Sequence, residues 1–140
     1  MSEVRSGTMH LDDAEFVRAF ESCELPNTSF HHADHVRLAW LYVREHGEEQ
    51  AAQRMVEAIR RFAAFNGAAK KFHYTVTRAW VRLVSAASGQ ALAAKSFPEF
   101  VAAHPELLQL NRLGRHYSAA VLDSAAARET WVPPDLAPLP

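Results

Sequence analysis

Apolar residues recur along this chain at helical spacing, and alternation of period two is nearly absent. The stripe Phe16, Ala19, Phe20 and Cys23 predicts a first helix over roughly residues 11–24, ended by Pro26. Val36, Ala39, Trp40 and Val43 predict a second over about 31–46, with Asn27, Thr28 and Ser29 as N-cap candidates and Gly47 as its stop. Ala52, Met55, Val56, Ile59, Phe62 and Ala63 predict a third over about 48–66, closed by Gly67. Val76, Trp80, Leu83, Val84 and Ala87 predict a fourth over about 73–89.

Beyond Gly89 the pattern weakens. Ser96 and Glu99 have the spacing of a capping box and open a short helix to about residue 104. Pro105 starts a helical turn over 106–110, and Ser118 or Tyr117 precedes a further helical stretch through Leu122, continuing or restarting at Ser124 to about 130. The last segment, Trp131-Val-Pro-Pro-Asp-Leu-Ala-Pro-Leu-Pro140, is too proline-rich for a helix. It predicts an extended strap over 131–140, anchored by Trp131, Leu136 and Leu139. With no linker or repeat to divide it, the chain reads as one all-α, bundle-like domain over residues 1–140. Five to seven helices are expected, with a flexible segment over 1–10.

Composition narrows the function classes. At 140 residues and 49% hydrophobic, the chain has material for one core and is not a disordered polymer. Its formal net charge of -1 argues against nucleic-acid binding by counterion release and against a polybasic membrane surface. A single cysteine excludes an intrachain disulfide and a four-cysteine zinc module. The absence of a signal-peptide core and of a long apolar run leads to the expectation of a cytoplasmic protein. Arg outnumbers Lys in an Ala-rich chain, a composition associated with GC-rich bacterial genomes.

The unusual feature of the composition is histidine, of which there are 8. His32 and His35 extend the apolar stripe of the second helix, while His31 and Asp34 fall toward a neighbouring face. His31 with His35, four residues apart, is the competing pair. His73 prolongs the stripe of the fourth helix in the same way. In an up-down bundle the second and fourth helices run parallel, so His32, His35 and His73 are expected in one layer near the rim, beside Cys23 and Glu24. Helix N-termini keep imidazole neutral, the form that binds transition metals. Three ligands would leave a coordination position open for water or substrate. His116 is a candidate fourth ligand or acid/base, Tyr74 and Tyr117 are candidates to line the site, and Asp34 is a candidate to orient a ligating ring.

A plainer reading stands beside this one: histidines on apolar faces are commonly hydrogen-bonded core residues, and His46 and His104 are read that way. His10 is read as terminal and exposed, Cys23 as a small core residue, and Trp40 and Trp80 as core. Arg60-Arg61 and Lys70-Lys71 could attract an anionic substrate or simply solvate a helix end. No phosphate-binding glycine loop, nucleophile elbow or H-E-x-x-H signature is present.

Four stretches together resemble an uncharacterised family of short bacterial all-helical proteins. They are Phe30-x-His32-x-x-His35, Lys71-Phe-His73-x-Thr75-x-Thr77, His116-Tyr-Ser118 and Trp131-Val-x-Pro-Asp-Leu-x-Pro-Leu-Pro140. The resemblance spans roughly residues 30–140, emphasises His32, His35, His73 and His116, and implies no activity. Where that pattern often carries Glu, this chain has Tyr74.

The sequence therefore leads to the expectation of a metal-dependent enzyme. It would hold a divalent transition metal (Fe, Cu or Zn) on His32, His35, His73 and His116, with His116 and Tyr74 as catalytic candidates. It would act on a small molecule, with oxidative chemistry favoured over hydrolytic. Its partners would be that substrate and neither nucleic acid nor membrane, and a homodimer is compatible. The alternative is a helical protein that binds a metal or ligand without turnover, as sensor, carrier or interaction module.

Overall fold

The first helix, α1 (Asp13–Glu21), begins at a complete capping box: Asp12 accepts from the Glu15 amide at 2.8 Å, and Glu15 accepts from the Asp12 amide at 3.0 Å. These details come from a computed structural model that describes residues 8, 10–90 and 94–140. The expected flexible segment over 1–10 lies mostly outside the described residues.

α1 ends at Glu21, three residues before expectation, in a Schellman motif. The Cys23 amide donates to the Phe20 carbonyl and the Glu24 amide to that of Ala19, with Cys23 at φ 65. The left-handed position that normally takes glycine is filled here by cysteine. α2 (His32–His46) follows, and Gly47 at φ 82 is its only connection to α3 (Glu48–Phe65). α3 closes in a second Schellman motif on Gly67 at φ 70. α4 (Tyr74–Gln90) completes the bundle.

Aromatic and charged pairs fix how these helices run. Phe30, just before α2, lies 5.3 Å from Phe62 near the end of α3, so α2 and α3 are antiparallel. Glu48 pairs with Arg82 and Arg60 lies over the Phe72 ring at 4.7 Å, so α3 and α4 are antiparallel too. α2 and α4 therefore run in the same sense, as expected of alternating neighbours. The stripes read from the sequence form the core: Phe16, Phe20, Val36, Trp40, Met55, Leu83 and Val84 are all buried.

The C-terminal third is built from shorter pieces. α5 (Phe97–Ala103) is capped by Ser96 and packs Phe100 against Trp40 at 5.7 Å. Two 3-10 turns follow, Pro105–Leu108 and Leu110–Arg115; the second extends beyond the turn expected over 106–110. α6 (Ala119–Leu122) and α7 (Ala125–Glu129) are capped by Ser118 and Ser124, so the helix restarts at Ser124 and does not run through. The strap from Trp131 to Pro140 contains no helix. It is held partly as expected, since Leu139 packs on the core and Trp131 stands edge-on to Tyr117 at 6.5 Å, whereas Leu136 is 58% exposed. Its backbone is also bonded: Tyr117 donates to the Val132 carbonyl, the Leu136 amide to the His116 carbonyl, and Arg82 to the Pro140 carbonyl. Among the described residues there is no strand, and no helix is long and apolar enough to cross a membrane.

Candidate functional site

The N-terminal turn of α2 presents His32 and His35 on one face, three residues apart. They open onto a cleft of about 540 Å³ walled by Phe30, Val76, Trp80, Leu113, Tyr117 and Leu122. The His32 ring sits edge-on to the Trp80 indole at 4.5 Å, and the His35 ring lies 4.4 Å from that of Phe30. His32 donates its Nε2–H to the Leu107 carbonyl at 2.9 Å, leaving Nδ1 as its free acceptor. No hydrogen bond of the His35 ring is found among the described residues.

Burial makes both rings poor bases. It pushes the His35 pKa down to about 4, with the neighbouring His32 adding to the effect. The His32 pKa is lowered by burial too, against the opposing pull of the Leu107 carbonyl. At neutral pH the cleft thus carries the two uncharged imidazoles of His32 and His35 in a mainly apolar wall, which His31 also lines. Each is an acceptor for a donor group on a ligand.

The expected third histidine does not join them. α4 begins one residue after His73, which makes His73 its N-cap. Its Nδ1 accepts from the Val76 amide at 3.1 Å. Its Nε2–H donates to the Leu122 carbonyl at 2.7 Å. Both nitrogens are spent, and it is Trp80, about two turns further along α4, that faces His32. His73 acts on the cleft only indirectly, by fixing the carbonyl of Leu122 in its wall. His116 is occupied in the same manner: Nδ1–H donates to the Ala137 carbonyl at 3.1 Å and Nε2 accepts from Arg112 at 2.6 Å. Among the described residues no group of three or more His, Cys, Asp and Glu comes together that could hold a metal ion.

Other candidates are also displaced. Asp34 orients no ring; its carboxylate accepts from the His31 amide at 2.8 Å and from the Thr8 hydroxyl, tying the start of α2 to the chain before α1. Tyr74 lines a different cleft, on the other face of α4. Tyr117 does wall the histidine cleft, but its hydroxyl is committed to Val132 and its pKa is pushed up to about 12 by burial and by Asp135. His46 and His104 pack near Tyr42 and Phe100, in keeping with structural roles. Arg60 and Arg61 face Phe72 and the Glu21 carbonyl and do not line the cleft.

Leu110, Asn111 and Gly114 also line the cleft, and nothing in the sequence marked them. They lie in a 3-10 turn whose weak periodicity carried no signal. Trp80 was legible as an apolar residue, but its service as a cleft wall depends on which turn of α4 faces α2. No family model matches the chain, and searches of curated proteins and of solved structures found no match to it.

Proposed function

We propose that this protein binds a small, largely apolar molecule in the cleft between α2, α4 and the Leu110–Arg115 turn, with the neutral ring of His35 accepting a hydrogen bond from its polar end. The observation that carries this reading is His35 itself: an imidazole without a hydrogen bond, held uncharged, in a cleft whose other walls are mainly apolar. A cavity of about 540 Å³ suits a ligand of drug-like size or smaller. The ring is half-buried at the cleft wall, and a ligand hydroxyl or N–H can replace the water it would otherwise meet there. The reading takes the ligand-binding alternative of the sequence analysis.

The test is a titration with indole and a short 4-alkylphenol, followed by the ring-nitrogen NMR signals of the histidines. Saturable binding with the largest shifts at His35 is expected, and His35→Phe should abolish it. Shifts spread over all histidines, or binding unchanged in His35→Phe, would overturn the reading.

The metal-dependent reading rests on one observation, that His32 and His35 line the same cleft. It predicts that Zn²⁺, Cu²⁺ or Fe²⁺ raises the melting temperature and that His32→Ala removes the effect, whereas the apolar-ligand reading predicts no change with metal.

A further inference from the structure

The second cleft, of about 590 Å³, lies on the face of α4 opposite Trp80, where Tyr74, Arg78 and Arg82 point toward the strap. Two guanidiniums and one carboxylate, Glu48, line it. Arg82 is satisfied: Nε–H donates to the Pro140 carbonyl at 2.7 Å and Nη1 engages Glu48. Arg78 is not. Its side chain is only 25% exposed, yet its nearest acid, Glu49, is 3.6 Å away and 75% exposed. That separation is too long for a direct hydrogen bond. Arg78 otherwise donates only to the Tyr74 hydroxyl, at 3.2 Å, among the described residues. A partly desolvated guanidinium lacking a carboxylate at hydrogen-bond distance is a site for one, because its planar donors match a carboxylate in two parallel bonds.

The walls select the rest of the ligand. Tyr74, Trp131, Pro134 and Pro138 supply flat apolar surface around Arg78. Glu48, bonded to Arg82, opposes a second negative charge and so disfavours phosphate. We infer that this cleft binds a small aryl carboxylate, its carboxylate on Arg78 and its ring among Tyr74, Trp131 and the strap prolines. The site is independent of the histidine cleft.

The experiment is a calorimetric titration with phenylacetate and with 2-phenylethanol, its uncharged counterpart, alongside the indole N–H NMR signal of Trp131. Saturable binding of phenylacetate is expected, with the alcohol and Arg78→Gln each weakening it by about tenfold or more. Glu49→Gln, which removes the competing acid, should tighten it by about threefold. His35→Phe should leave it unchanged, so failure of the histidine-cleft reading and of this one are told apart. No saturable binding, equal binding of acid and alcohol, or wild-type affinity in Arg78→Gln each overturns the inference. Should Arg78→Gln lose its helical circular dichroism, Glu49→Gln decides: no tightening there overturns it.

Discussion

The bundle of α1–α4 and the C-terminal third are held by different forces. In the bundle, long amphipathic helices bury continuous apolar stripes, and rings meet rings: Phe20 lies 4.6 Å from both Phe30 and Phe62. From Ser96 onward the helices are too short to be stable by themselves. Their order comes from caps and from side chains of the bundle and the turns that reach out to backbone groups: His73 to Leu122, Thr75 to Thr130, His116 to Ala137. A ring nitrogen that holds a backbone group is unavailable for chemistry. Three of the four histidines expected at a metal site, His32, His73 and His116, serve as such ties; His32 keeps its Nδ1, and His35 makes no tie among the described residues.

The largest expected effect is on the bundle. Phe20→Ala should cost about 3–5 kcal/mol in urea unfolding, because it empties the centre of the aromatic cluster. If it costs no more than a tie in the C-terminal third, the distinction between the regions fails.

Acid should come next. The unfolded chain protonates His35 near its ordinary pKa of 6.5, while the folded chain resists until about pH 4. Between these values the unfolded state binds the extra proton, so stability present above about pH 6.5 is lost as the pH falls toward 4. The loss is on the order of 3 kcal/mol. Chemical unfolding at a series of pH values checks it, and His35→Phe should flatten that part of the curve.

His73→Ala removes both a cap and a tie and should cost about 1–3 kcal/mol. Its signature is uneven: amide exchange should quicken over 119–129 far more than in α3. Uniform quickening would mean that the two regions unfold as one. Ser118→Ala should cost about 1 kcal/mol, through the lost cap on the Val121 amide. Smallest of all, Leu136→Ala should change stability by less than about 0.5 kcal/mol, since that leucine is 58% exposed.

The four long helices were legible because burial along a helix repeats in register with its turns, and that register is written in the residue spacing. The stops were legible where glycine made them, at Gly47 and Gly67. The end of α1 was not, because a cysteine stands in the left-handed position and cysteine carries no such expectation. His32 and His35 were legible as an inward-facing pair. Their separation from His73 was not, because helical spacing gives direction around an axis and says nothing of height along it relative to a neighbour. One residue of offset at the start of α4 converts a candidate ligand into an N-cap.

By itself the sequence determined an all-helical chain, its principal stripes, its serine cap at Ser96, and a proline-rich end that forms no helix. These are local properties, set by periodicity, caps and the missing N–H of proline. Tertiary structure alone decided which imidazoles are occupied, which face of α4 meets the histidines and which meets the strap, and that the strap is tied by hydrogen bonds and not anchored by Leu136. Each of these depends on residues far apart in the chain arriving within hydrogen-bond reach, which residue spacing does not encode.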